Sequence, residues 1–299
     1  LKDGETARIM TGAPCPANTT MVIPQEMSDY GDETVLFHEI PKRDNMCPVG
    51  EDFREGDLLL QKGCRVDANA AACMAAAGRE KISVYRKPGA ALIAVGDEIV
   101  KTGTVLRHGQ IYESNLPYLK ARLMSLGCDI LSERYAGDDL AVLSSAIKAA
   151  AADFVITTGG VSVGKKDLIE AAVEKAGGRI VFHGIDVKPG MPTMYSTVNG
   201  TGVLSLSGNP FAARCLFELL NPFGRTIISE AELSEGESGP RAVRRFVPGF
   251  WDGRSVKLSA NRKNGSTKSS IGSNCLAELP CGSSPLEPGS KVRIFIFER

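Results

Sequence analysis

The sequence predicts an α/β protein of several domains: a central, mainly parallel, doubly wound sheet, a β-rich lobe before it and a small β domain after it. Three observations carry that prediction. Between residues 89 and 228, short apolar runs alternate with helix-spaced segments, the pattern of strands joined by crossover helices. Residues 1–60 and 229–299 instead show short β-type runs broken by turn formers. With 43% hydrophobic and 23% charged residues in a chain of 299, there is apolar material for more than one core, which excludes wholesale disorder.

In the first lobe, 1–60, the runs Met21-Val22-Ile23-Pro24 and Thr34-Val35-Leu36-Phe37 read as strands. A helical connecting segment, 61–88, follows, where Asp67 opens an alanine-dense run that Gly78 stops. In the α/β domain, 89–228, residues 90–95 form the first expected strand. Leu116, Leu119, Leu123 and Leu126 then recur at helical spacing before Gly127. Residues 129–132 read as strand, and Asp138-Asp139 precede a helix expected to run through Ala152. Residues 153–158 form a strand entering a glycine loop, and Asp167 starts a helix ending near Gly177. Strands near 180–182 and 203–207 and a helix over 210–220 complete the layer. The last domain, 229–299, opens on an acidic linker and carries the runs Ser255-Val256-Lys257-Leu258 and Lys291-Val292-Arg293-Ile294-Phe295-Ile296-Phe297.

The 35 basic and 35 acidic residues cancel, so no global field holds nucleic acid or an anionic membrane, and neither is expected as a partner. The longest apolar stretch, residues 70–77, is too short to cross a bilayer. The opening Leu-Lys-Asp-Gly-Glu has no apolar core behind its lysine, so no signal peptide is expected. Eight cysteines without a CxxC pair suggest a reducing cytoplasm, and three widely spaced histidines argue against a zinc site.

Polar, glycine-rich segments follow four predicted strands: Gly96-Asp97-Glu98, Thr157-Thr158-Gly159-Gly160-Val161-Ser162-Val163-Gly164, Lys188-Pro189-Gly190 and Ser205-Leu206-Ser207-Gly208-Asn209-Pro210. Doubly wound sheets bind ligands at the carboxyl ends of their strands. Glycines admit a close ligand, and hydroxyls with free N–H groups make an anion cradle. Together the four loops imply a phosphate- or oxyanion-bearing ligand. They do not make a P-loop: Gly159, Gly164 and Lys165 fit its spacing, but Lys166 stands where a Ser or Thr should hold magnesium. Asp97, Glu98, Asp138, Asp139 and Asp167 gather at the same predicted edge. Carboxylates beside a phosphate repel it unless a divalent cation intervenes, which implies magnesium. Asp138, Asp139 and Asp167 also stand where each can cap a helix, whereas Glu98 has no capping role. Lys188, in a rigid Pro-Gly setting, is either a solvated cation or a charge aimed at an anion.

These segments, with Arg8-Ile9-Met10-Thr11-Gly12-Ala13-Pro14 and Gly109-Gln110-Ile111-Tyr112-Glu113-Ser114-Asn115, occur in an order that resembles the molybdopterin molybdenumtransferase family (MoeA-like proteins, including the gephyrin E domain). The resemblance covers nearly the whole chain. It implies an elongated homodimer with a β-rich lobe, a molybdopterin-binding α/β domain and a C-terminal β-barrel. It implies magnesium-dependent insertion of molybdate into adenylylated molybdopterin, releasing AMP. By motif position, Thr11 comes from the partner's lobe, and Glu98, Asp138 or Asp139, Asp167 and Lys188 form the catalytic set, with Glu98 and Asp167 as magnesium ligands. Ser114, Asn115, Gly159, Gly160, Ser162, Gly164, Pro189, Gly190, Ser207, Gly208, Asn209 and Ser266 are the implied substrate-binding positions. Gly184 stands where members often carry a second basic residue, and Pro248 where an arginine is common. The family motif at Arg8 is normally preceded by a segment supplying an active-site acid, so this sequence is expected to be a fragment or to draw that acid from elsewhere. The alternatives are a pterin-binding or scaffold protein without turnover, and the related adenylyltransferase.

Overall fold

The structure, a computed structural model, describes the chain except for residues 162–167, 222–226, 261–265, 283 and 298–299. Its contacts divide it into two units, Leu1–Tyr85 and Arg86–Arg299.

In the first unit, helix α1 (Ala68–Ala76) starts where the Asp67 carboxylate accepts the Ala70 N–H at 2.9 Å. It ends where Gly78, at φ +71°, returns its N–H to the Ala75 carbonyl. The runs expected as strands at 21–24 and 34–37 are not strands: 21–24 carries no bridge, and of 34–37 only Phe37 makes one, to Ser28 beyond a 3-10 turn at Gln25–Met27. The reason is local: the Asp29 carboxylate accepts the N–H groups of Gly31 and Leu36, so the segment closes on itself as a loop.

The second unit holds strands β1 (Gly89–Ala94), β2 (Ile99–Val100) and β3 (Ile111–Tyr112), helix α2 (Asn115–Ser125), β4 (Asp129–Tyr135), α3 (Leu140–Lys148), β5 (Phe154–Thr158) and α4 (Leu168–Lys175). They are followed by β6 (Arg179–His183), β7 (Val187–Lys188), β8 (Met194–Val198), β9 (Thr201–Leu206) and α5 (Pro210–Leu220). The main sheet has the order β4-β1-β5-β9-β8-β6, with β4, β1, β5 and β9 parallel and β8 antiparallel to both neighbours. Strand β1 is buried along its whole length, as a central parallel strand covered on both faces must be. One face packs Leu92, Ile156 and Leu206 against Leu116, Leu119 and Leu123 of α2 and Leu216 and Phe217 of α5. The other packs Ile93, Val155 and Val203 against Leu143 and Ile147 of α3 and Ile169 and Val173 of α4. The helix expected to reach Ala152 stops at Lys148.

Strand β8 is an element the sequence reading missed. It turns into β9 through Asn199 (φ +51°) and Gly200 (φ +81°), with Val198 paired to Thr201. Asn-Gly between two apolar-alternating runs is the signature of a two-residue hairpin.

Strands β10 (Ile227–Leu233), β11 (Arg244–Trp251), β12 (Ser255–Leu258), β13 (Cys275–Leu279) and β14 (Lys291–Ile296) run in the order β12-β10-β14-β13-β11. The β11–β12 pairing closes them into a five-stranded barrel around Leu233, Val247, Val256, Leu279 and Ile294. Strand β7 adds to the outside of this barrel, with Val187 opposite Arg244 and Lys188 opposite Arg245.

Candidate functional site

Because β4, β1, β5 and β9 are parallel, their carboxyl ends share one rim, where β8 begins. The loops leaving that rim are joined to one another. The Asp97 carboxylate accepts the Asp138 N–H at 2.9 Å, tying the loop after β1 to the loop after β4. The Gly159 N–H donates to the Leu206 carbonyl at 3.1 Å, tying the β5 loop to the end of β9. At φ +85°, with space for a Cβ taken by the Val95 carbonyl, position 159 demands glycine. A Cβ on Gly208 would stand 3.3 Å from the Gly159 Cα, so these two loops touch.

Helix α2 enters the rim from the side. Asn115, 4% exposed, donates from Nδ2 to the Gly208 carbonyl at 2.8 Å, while its Oδ1 is buried without a partner among the described residues. Thr157 and Ser205, opposite one another on β5 and β9, likewise bury hydroxyls with no partner among the described residues. Buried polar atoms left unpaired cost free energy unless a ligand or water meets them.

Glu98 is exposed, and its carboxylate folds back over Gly96, 2.7 Å from where a Cβ would stand. Asp138 is exposed. Asp139 caps α3, its Oδ1 accepting from Ala141 N–H at 2.7 Å and Val142 N–H at 2.9 Å; the Val142 bond, then the Ala141 bond, holds the carboxyl below the usual range. Ser114 precedes α2 without a capping bond. The cap is Glu113, 5% exposed, whose Oε1 accepts from the N–H groups of Asn115 and Leu116. Glu113, Thr157 and Ser205 escaped the sequence reading as site residues. An acid just ahead of a helix start was the signal for the first; nothing in the sequence marks the hydroxyls as unpaired.

Lys188 is exposed on β7, in the segment that leads to β8 at the rim. Pro189 is buried, and Gly190, at φ +98°, lies against Leu216 of α5 so closely that a Cβ would clash with its side chain. Ser207 is buried, its hydroxyl accepting the Asn209 N–H at 3.3 Å. Gly160 approaches Val95 and Ile169 and is half-buried. Ser266 is half-buried beside Thr267, whose carbonyl accepts from Arg214 Nη1 at 3.0 Å. Thr11 belongs to the other unit, exposed on a turn in which Ala13 N–H donates to the Met10 carbonyl. Ser162, Gly164 and Asp167 lie outside the described residues.

Among the described residues no three His, Cys, Asp or Glu side chains cluster to hold a metal. Glu98 and Asp138 are exposed carboxylates, hard oxygen donors of the kind magnesium takes, and that ion needs only one or two of them beside water and phosphate oxygens. No helix among the described residues is long and apolar enough to cross a membrane.

A mainly parallel sheet with a glycine-lined rim, joined to a closed β-barrel, defines an α/β protein built to bind a ligand at its strand ends. Residues 91–226 match the family described as "Probable molybdopterin binding domain", and residues 1–78 match "MoeA N-terminal region (domain I and II)". The chain is 32% identical to a molybdopterin molybdenumtransferase of Bacillus subtilis (strain 168), over 98% of this chain and 73% of the relative. It is 36% identical to that of Haemophilus influenzae, over 72% of this chain and 54% of the relative. The crystal structure of the molybdopterin biosynthesis moea protein from Pyrococcus horikosii superposes with a TM-score of 0.77 at 28% identity, covering 93% of this chain and 72% of that one. The chain belongs to the molybdopterin molybdenumtransferase family.

Proposed function

We propose that this chain inserts molybdate into adenylylated molybdopterin with magnesium and releases AMP, acting in the cytoplasm as a homodimer. One observation carries the reading: the loops after β1 and β4, and those after β5 and β9, are tied to one another along one rim, to which Asn115 at the start of α2 bonds through Gly208.

In this reading the backbone at Gly159, Gly160, Gly208 and Asn209, with Ser114, Ser162, Gly164, Ser207 and Ser266, receives the pterin and its phosphates. Lys188 neutralises an oxyanion, and the Pro189-Gly190 turn fixes its backbone against α5. Thr11 contributes from the partner's lobe. Glu98 and Asp167 would hold magnesium, which supplies polarisation of a phosphoryl oxygen when bound. Asp138, which is exposed, is the carboxylate assigned to relay a proton, since Asp139 is engaged as a cap. Water attacks the adenylyl phosphorus, the P–O bond to the molybdopterin phosphate breaks with its electron pair going to that phosphate, and AMP leaves carrying the water's oxygen.

Incubation with adenylylated molybdopterin, molybdate and magnesium, with AMP measured by chromatography, tests the reading. AMP release should require both molybdate and magnesium and fall roughly 100-fold or more in Glu98→Gln, as loss of a transition-state contact does. Light scattering should give twice the chain mass. Pterin binding without AMP release, unaffected by Glu98→Ala, would instead identify a binding or scaffold protein. Gly184, at φ +89° where members often carry a cation, is the observation that favours that second reading. Consumption of ATP would identify the adenylyltransferase.

A further inference from the structure

Where β7 joins the barrel, the strand register decides which side chains share a face. Val187 pairs with Arg244 and Lys188 with Arg245 in a parallel ladder, so each pair projects to one side of the sheet. Val187 and Phe246 are buried in the core shared with α2 and α5, which puts Arg244 on that face by the alternation of a strand. There the charges are matched: the buried Glu278 lies 3.7 Å from Arg244 Nη1 and 2.6 Å from Arg293 Nη2.

Lys188 and Arg245 take the opposite face, the one on which Val247 enters the barrel core. On the far side of Arg245 the residue in register is Leu279, itself buried. Arg245 thus stands between a leucine and a second cation. Among the described residues neither the Lys188 nor the Arg245 side chain has an ion pair or hydrogen bond. Paired strands lie about 4.8 Å apart, and like charges in register across them repel. Lys188 is exposed, but Arg245 is only half-exposed near the start of β11, where water screens it less.

We propose that Arg245 is a substrate-binding residue, which with Lys188 holds a tetrahedral dianion: molybdate, or a phosphate of the pterin substrate. The choice of anion rests on the function proposed above. Lys188 supplies a point charge, and Arg245 a planar fork that takes two oxygens of one anion. A dianion between them converts their repulsion into two attractions. The pair is also tied to the rim. The loop that carries Lys188 is closed by the Gly184 N–H on the Thr193 carbonyl at 2.9 Å, one residue before β8 begins there. Through Arg245 the barrel therefore contributes directly to substrate binding.

Equilibrium dialysis of the whole chain against molybdate, with bound metal counted by mass spectrometry, tests the assignment; parallel dialysis against inorganic phosphate separates the two anions. Saturable binding is expected, weakened at least fivefold in Arg245→Gln and in Lys188→Gln and largely restored in Arg245→Lys. Saturation by molybdate alone assigns the metal oxyanion, and by phosphate alone the pterin phosphate. Because Arg245→Gln also removes a repulsion, its urea midpoint should equal or exceed that of wild type, which separates a lost contact from a lost fold. Should that variant fail to fold, Arg245→Met, which keeps an apolar stem, decides. Affinities within twofold of wild type in the folded Arg245 variants, or no saturable binding of either anion to wild type, would overturn the proposal. AMP release is read separately. A chain that binds anion through Arg245 yet releases no AMP defeats the proposed chemistry and leaves this site, and AMP release unaffected by Arg245→Gln does the reverse.

Discussion

At the scale of single residues, the rim depends on atoms that are missing as much as on those present. A methyl group at position 159 would meet the Val95 carbonyl well inside 3.0 Å, and the backbone there holds φ +85°. Gly159→Ala therefore combines left-handed backbone strain with a clash against rigid main chain. We expect a loss of about 2–4 kcal/mol in unfolding free energy, read from the urea midpoint. Ligand binding at the rim should weaken with it. The motif Gly159-Gly160 was legible as a close-approach loop, because glycine advertises such a need. What it approaches was not, since Val95 comes from a different strand. The same limit applies to the acids: sequence placed Asp138 and Asp139 side by side, and only the direction of each carboxylate separates the helix cap from its exposed neighbour.

Among the elements, α2 shows how a helix is aimed. Its three buried leucines, Leu116, Leu119 and Leu123, fix which face meets the sheet, but its start is set by Glu113, which accepts two N–H groups of the first turn. Glu113→Ala should cost about 1–3 kcal/mol, and Glu113→Gln, which keeps an acceptor, should recover most of it in the same denaturation series. Loss of the cap should also disturb the Asn115–Gly208 bond and so weaken pterin binding more than stability alone requires. The parallel strands and covering helices were legible in the apolar rhythm of residues 89–220, because a buried sheet leaves a strong pattern. Strand β8 was not, although Asn199-Gly200 marks its turn. Its half-polar alternation resembles a loop until the hairpin is recognised. The strand-like runs of 21–24 and 34–37 failed for the opposite reason: β propensity without a partner ladder yields no strand, only the bridge of Phe37 to Ser28.

For the molecule as a whole, acid is the telling condition. Asp153 accepts from Arg86 and from the Gly89 N–H, and Arg86 beside it holds its carboxyl well below the ordinary range. This contact joins the entrances of β1 and β5. Asp29, Asp139 and Asp252 are lowered in the same direction, chiefly by N–H groups of Leu36, Val142 and Arg254. A carboxyl whose folded pKa is depressed stabilises fully above its unfolded value and loses that contribution as pH falls through the folded one. Urea midpoints should therefore hold from neutrality to about pH 4 and decline below it. Asp153→Asn should be less stable than wild type at pH 7, with the gap closing in acid. A gap that stays constant down to pH 2 would show that the ion pair contributes nothing. The five-stranded barrel and the main sheet also meet through one small feature, β7, whose amide ladder to Arg244 and Arg245 carries Lys188. A gene fragment ending at residue 228 would strip those amides of their partners and leave the lysine on an unanchored tether. The central layer is accordingly no portable cassette: transplanted without its tail, it would arrive with its cationic arm already detached.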